Sequence, residues 1–347
     1  MDLSSLLAWR GSCAINYAHA TAALKRSLAS VVNPFLSHPT ALLRIISRYG
    51  AVIGGEGALS FIRRQCPFQP QTLEIFASAT LYAPLCYEVL SDTLIRPDIV
   101  STVSMVYQYP HNIQRDVLET TQIVLRSARS IYIRRSSTLS PLSPIVRSMC
   151  TALANFVTPH CFGCAYPRLT LSDKSLLSDL AQGPLNDFDA GIMRMLAEQH
   201  IETVVDPSSW PQYRLWSPTP SVPDTYKACW RSHYICPNQG RFFGDSGSVV
   251  DFIDPIGTPA TALQEQGHPP FGTVVIWRIS SSYQCPLSCE SHDNTLPTGQ
   301  ISTPVIMMDD PFADARVQVA TPERGRASRD GYYPRIANTR TSRSTSL

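Results

Sequence analysis

At 347 residues, with 44% hydrophobic and 16% charged side chains, the chain has ample apolar surface for a buried core and is too apolar for a disordered protein. A formal net charge of +2 excludes the strong positive field that draws proteins onto nucleic acid or anionic lipid, so neither is an expected partner. No apolar run reaches the roughly 18 residues that a bilayer span needs, and no secretory core is present. This predicts an intracellular chain, cytoplasmic or nuclear, whose ten cysteines are reduced thiols.

From Leu3 to Gly55 there is no acid, while Arg10, Lys25, Arg26, Arg44 and Arg48 are basic. Leu24, Leu28, Val31 and Val32 recur at helical spacing and predict a helix packed on the core, so residues 1–39 read as an N-terminal helical segment. The same acid-poor composition suits a mitochondrial transit segment, the alternative compartment. Residues 51–53, Ala-Val-Ile, read as a short buried strand, and Gly54-Gly55 as a turn whose backbone can approach a ligand closely. A helix over 56–65 follows, with Ala58, Phe61 and Ile62 inward, until Pro67 and Pro70 force extended structure. Residues 72–76 alternate as a strand, with Leu73 and Ile75 on one face and Thr72, Glu74 and Phe76 on the other.

This order of strand, glycine pair, helix and acid-bearing strand resembles the nucleotidyltransferase-like (polymerase-beta-like) superfamily. There, Gly-Gly or Gly-Ser ends a strand and Asp-x-Asp or Asp-x-Glu lies on the next. More narrowly, Gly55-Glu56-Gly57-Ala58-Leu59, Phe68-Gln69-Pro70-Gln71-Thr72-Leu73-Glu74-Ile75-Phe76 and the later Ala165-Tyr166-Pro167-Arg168-Leu169-Thr170-Leu171 are similar to segments of a group of uncharacterised fungal proteins, over residues 40–200. The resemblance implies an α+β fold, a mixed β-sheet with flanking helices. It implies a site in which glycine backbone holds phosphates while carboxylates clamp two divalent metals against the charge on a transferred phosphoryl group.

The resemblance also implies that this chemistry is lost. Thr72 stands at the first carboxylate position and Tyr132, on a strand over 130–134, at the third. Only Glu74 remains, too little to hold an octahedral Mg²⁺. Gly54, Gly55 and Glu74 are therefore expected as a vestigial nucleotide site in a catalytically inactive binding or scaffold module. No catalytic residue, metal or cofactor is expected, a nucleotide is the one ligand class implied, and the partner is open. The alternative is an active Mg-dependent nucleotidyltransferase, for which Asp92 or Asp98 would have to come beside Glu74. On the inactive reading, Glu74→Ala is expected to leave folding nearly unchanged.

Downstream, Pro84 opens a helix striped by Leu85, Val89 and Leu90, and residues 98–105 read as extended. Residues 120–125 and 130–133 read as a hairpin ringed by Arg126, Arg129, Arg134 and Arg135, either a phosphate-facing patch or a solvated strand face. A helix is expected over 144–156, with Ile145, Met149 and Leu153 at spacing four, and another over 187–200 with Ile192, Met195 and Leu196 inward. Cys161 and Cys164 form a C-x₂-C. A structural zinc site needs a second pair, and neither Cys229 with Cys236 nor Cys285 with Cys289 has finger or ribbon spacing.

Gly244-Asp245-Ser246-Gly247-Ser248 resembles the nucleophile segment of chymotrypsin-like serine proteases. That chemistry needs a histidine base and a buried aspartate earlier in the chain, and the Ala18-His19 pair falls inside an expected helix. The segment is read as a turn into a strand at Val249-Val250, with the serine protease as the remaining alternative. Proline, serine and tryptophan dominate 206–223, an irregular strap, and a strand is expected within 271–279. The chain thus divides into 1–39, a nucleotidyltransferase-like domain over 40–205, an irregular β-containing extension over 206–310, and a basic tail over 311–347. The tail's seven arginines, three acids and few apolar residues predict disorder.

Overall fold

The computed structural model describes residues 1–65, 68–106, 116–179, 187–214, 230–254, 274–280 and 305–308. Short runs rich in Val, Ile, Phe and Thr form the strands β1 (Val52–Gly54), β2 (Thr72–Ala77), β3 (Ile99–Val106), β4 (Val117–Leu125), β5 (Ser130–Ser136), β6 (Asn155–Val157) and β7 (Cys161–Cys164). Two parallel pairs lie apart: β8 (Lys174–Leu176) with β9 (Glu202–Val204), and β11 (Val274–Trp277) with β12 (Val305–Met308). The eighth strand of the main sheet, β10 (Val249–Phe252), comes from far down the chain, and the spatial order is β10-β7-β6-β1-β2-β5-β4-β3. Only β2 and β5 pair in parallel, so the sheet is mixed and the fold is α+β.

Period-two alternation gives this sheet two different faces. Ile53, Leu73, Ile75, Ile123, Ile131 and Ile133 point to one, where helices α1 (Leu3–Arg10), α2 (Ala14–Val32), α3 (Pro39–Arg48), α4 (Gly55–Ile62) and α5 (Tyr82–Ser91) cover them with Leu24, Leu28, Ile45, Phe61 and Val89. Val52, Phe76, Phe156 and Cys161 point to the other, into a second core built around Trp210, Trp230, Phe243 and Trp277. Segment 1–39 and the described parts of 206–310, set apart by composition, share this architecture: α2 packs in the same core as Leu73, and β10 extends the sheet beside β7. The tail over 311–347 lies outside the described residues. Among the described residues no helix is long and apolar enough to cross a membrane.

The expected helix over 144–156 is corrected. Helix α6 spans only Ser143–Val146, a 3₁₀ turn covers Thr151–Leu153, and Asn155–Val157 is β6. The spacing of Ile145, Met149 and Leu153 mimics a helical stripe, yet Ile145 enters the tryptophan core while Met149 and Leu153 join a separate cluster with Leu59 and Leu196. Pairing of β6 between β1 and β7 wins over local periodicity. The short α7 (Pro167–Thr170) follows β7, and α8 (Asp187–Glu198) takes most of the expected 187–200 helix.

Phe156 sits directly across from Gly163 in the β6-β7 ladder, and a Cβ on Gly163 would lie 2.2 Å from the ring. The ring is fully buried and packs edge-on against Phe243, so it has nowhere to retreat. Gly163→Val is expected to destabilise the protein by about 1–3 kcal/mol through overpacking, read as a lower urea midpoint with an unchanged slope.

Candidate functional site at the glycine turn

Gly54, Glu74 and Tyr132 lie in one row of the sheet: Gly54 is the antiparallel partner of Glu74, and Glu74 the parallel partner of Tyr132. Gly55 opens α4 with φ +55, and a Cβ there would lie 1.8 Å from the Oε2 of Glu74. Both the left-handed backbone and the close approach of the carboxylate therefore require glycine. The other carboxylate oxygen, Oε1, accepts a hydrogen bond from Nη2 of Arg134, two residues past Tyr132 on the same face of β5. Glu74 and Arg134 are both buried, and the guanidinium lies 5.7 Å from the Tyr132 ring and 6.0 Å from that of Phe76. Tyr132 accepts a hydrogen bond from Gln122 on β4 at 3.1 Å.

The turn that the sequence suggests for a ligand is thus filled by the protein's own carboxylate. These residues do not fit a divalent metal. The row offers one carboxylate, its charge is already matched by Arg134, and a cation there would have to displace a buried guanidinium from its counter-charge. Among the described residues no three His, Cys, Asp or Glu side chains gather into a metal-binding set.

Neither Asp92 nor Asp98 supplies the missing acid. Asp92 ends α5, accepting from Leu94 N–H at 2.8 Å and pairing with Arg44 at 3.0 Å. Asp98 precedes β3, three strands from β2, and accepts from the N–H and hydroxyl of Ser37 at 2.8 and 2.9 Å. At about 4.8 Å per strand that is roughly 14 Å of lateral separation from Glu74.

Sequence reasoning missed Glu56. It stands in the first turn of α4, and its Oε2 accepts from the N–H groups of Gln71 at 2.8 Å and Thr72 at 3.3 Å, tying the helix start to the beginning of β2. Burial pushes its pKa up, the two N–H donors offset this only in part, and the neighbouring charge of Glu74 adds to the rise. An acid at the first helical turn after a glycine pair is a readable capping signal, but its tie to residues 71 and 72 is a tertiary fact.

The arginines near the β4-β5 hairpin form neither a phosphate patch nor a uniformly solvated face. Arg134 holds Glu74, Arg129 donates to the Pro70 carbonyl at 2.6 Å and to Gln69 at 2.8 Å, Arg135 donates to the Ala79 carbonyl at 3.1 Å, and Arg126 is exposed. Three of the four therefore brace the polypeptide around β2.

Cys161 and Cys164 are three apart on β7, so strand alternation sends Cys161 into the tryptophan core and Cys164 into the helix-covered one. They cannot share an ion, and burial holds their thiols protonated, with pKa values pushed up to about 11 and about 12. Cys236 is also buried, whereas Cys229, Cys285 and Cys289 lie outside the described residues.

In the segment Gly244-Ser248 the acid serves structure. Asp245 accepts from Nε and Nη2 of the fully buried Arg241 at 2.5 and 2.9 Å, and from the N–H of Gly247 at 2.9 Å. Arg241 also donates to the carbonyls of Tyr234 and Ala165. Ser246 is exposed, and among the described residues no histidine contacts it: His160 bonds Ser47 at 2.6 Å, His233 bonds Arg168, and His19 stacks on Trp9.

No family model, curated protein or solved structure matches the chain. The likeness to the nucleotidyltransferase-like superfamily rests on the motif residues themselves.

The buried ion pair argues against the expectation that Glu74→Ala leaves folding unchanged, because removing Glu74 takes the counter-charge from a buried guanidinium. Glu74→Ala is expected to cost about 3–5 kcal/mol in chemical denaturation, with Glu74→Gln costing clearly less because its amide oxygen can still accept from Arg134. Glu56 behaves in the opposite sense. A carboxylate whose pKa rises on folding weakens the fold as pH increases: the penalty is absent below its ordinary value of 4.5 and complete above the raised one. Glu56→Gln keeps an oxygen for the N–H groups of Gln71 and Thr72. It should melt higher than the native protein near neutral pH and no higher at about pH 3.5.

Proposed function

We propose that this chain is a nucleotidyltransferase-like domain that no longer transfers nucleotides and works as a binding or scaffold module. The observation that carries this reading is the guanidinium of Arg134 bound to Glu74, the one acid of the Gly54-Glu74-Tyr132 row. Phosphoryl transfer depends on positioned positive charge held by clustered carboxylates. Here the row's one carboxylate is matched by an arginine two residues farther along β5, with Thr72 and Tyr132 where further acids would stand. Glu74 also covers the backbone of Gly55, where a phosphate would be held, which favours a protein-binding or scaffolding role over a nucleotide-binding one.

A panel of nucleoside triphosphates with and without Mg²⁺ or Mn²⁺, read by thermal shift and by incorporation of labelled nucleotide, tests this reading. Ligands that bind only the folded state raise its midpoint. We expect no metal-dependent rise and no incorporation. Turnover that the structure-preserving Glu74→Gln variant abolishes would overturn the reading in favour of an active transferase.

A further inference from the structure

The buried guanidinium groups of this chain are matched by acids: Arg10 by Asp251, Arg63 by Asp173, Arg134 by Glu74 and Arg241 by Asp245. The half-buried Arg64 is not. It follows α4, and its side chain runs onto α2, where Nη2 makes only a long contact of 3.4 Å with the Ala23 carbonyl. That oxygen already accepts from the Ser27 hydroxyl at 3.1 Å. Nη1 is shut off from solvent and has no hydrogen-bond partner. The charge that bears on Arg64 belongs to another cation, Arg26, which lies three residues on from Ala23 on the same side of α2. Arg26 is exposed, and among the described residues neither arginine has an ion pair. Burial first, then the charge of Arg26, pushes the pKa of Arg64 down, and no acid offsets either effect.

A buried donor without a partner is costly, and neighbouring guanidiniums without an acid repel. One kind of ligand relieves both. From these observations we infer that Arg64 and Arg26 form a binding site for a phosphate group, with Nη1 of Arg64 as the inner donor and Arg26 closing over the ligand from the solvent side. A phosphate monoester carries a charge of about −1.5 to −2 near neutral pH and three acceptor oxygens, which suits a pair of guanidiniums. A carboxylate would bring a single charge and leave the pair only half compensated. Planar guanidiniums hold such oxygens two at a time, the geometry for which arginine is the better choice than lysine. The Ser27 hydroxyl, beside Nη2 through the carbonyl they share, adds a further polar group to the wall. The site lies past the end of α4, whereas the glycine turn lies at its start, so it stands or falls independently of the glycine turn.

Thermal melts of the full chain in orthophosphate, O-phosphoserine and chloride at matched ionic strength test this. The native protein is expected to melt progressively higher with low-millimolar orthophosphate than with chloride, because a ligand held only by the folded state raises its midpoint. Arg64→Gln and Arg26→Gln should each weaken the apparent affinity at least about tenfold. Arg26 is exposed, so Arg26→Gln keeps the comparison intact whatever packing Arg64→Gln loses. A general salt effect would raise the native protein and both variants alike. A rise with O-phosphoserine matching that with orthophosphate would assign the site to a phosphoryl group carried on a protein, and a rise with orthophosphate alone would assign it to the free ion. No rise over chloride with either ligand, or a rise that both variants retain, would overturn the proposal.

Discussion

The arrangement at the glycine turn depends on one buried ion pair. Glu74 lies against the Gly55 backbone on one side and Arg134 on the other, and these contacts bind together β2, the start of α4 and β5. Its position explains why Gly55 must be glycine. It also explains why β2 and β5 can pair in parallel across the 52 residues of intervening chain, from Ser78 to Arg129, with a buried charge on each strand: each charge is the other's counter-ion. A buried pair of this kind contributes little net stability compared with an apolar pair, but it penalises any arrangement that separates its members. The stability comes from the two apolar cores that the sheet separates.

The glycine turn and the Gly244-Ser248 turn follow a common pattern. In both, a motif resembling an enzyme's active segment has its acid matched by a buried arginine, Glu74 by Arg134 and Asp245 by Arg241. In both, the glycine backbone is packed against the protein's own side chains, Glu74 over Gly55 and Tyr234 over Gly247. The arginine-rich cationic content of the chain acquires a structural reason here, because a planar guanidinium can satisfy a carboxylate and several carbonyls at once while lying over aromatic rings.

What the sequence made legible was local. The course from β1 through the Gly54-Gly55 turn and α4 to β2 is encoded within 26 residues, Val52 to Ala77, by glycines, prolines and a clean alternation, and the elements follow in the order read, with α4 starting at Gly55 and ending at Ile62 rather than spanning 56–65. The inward faces of α2 and α5 and the β4-β5 hairpin were equally readable from periodicity. Illegible were the facts that depend on pairing at a distance. Arg134 was visible only as one of four arginines, because its tie to Glu74 arises from the parallel register of two strands 60 residues apart. The 144–156 segment misled because its apolar residues feed two different cores. Cys161 and Cys164 have the spacing of a ligand pair, but β7 is a strand, and alternation alone parts them.

A denaturation double-mutant cycle on Glu74 and Arg134 tests the central claim most directly, using Glu74→Leu, Arg134→Met and the two together. If the pair is an internal structural contact, each single variant takes the counter-charge from a buried group and loses stability. The double variant, with two apolar side chains of similar size, should recover most of it, giving a coupling energy of about 2 kcal/mol or more. Additive losses, or a Glu74→Leu variant as stable as the native protein, would show that Glu74 does not depend on Arg134 and would contradict the account.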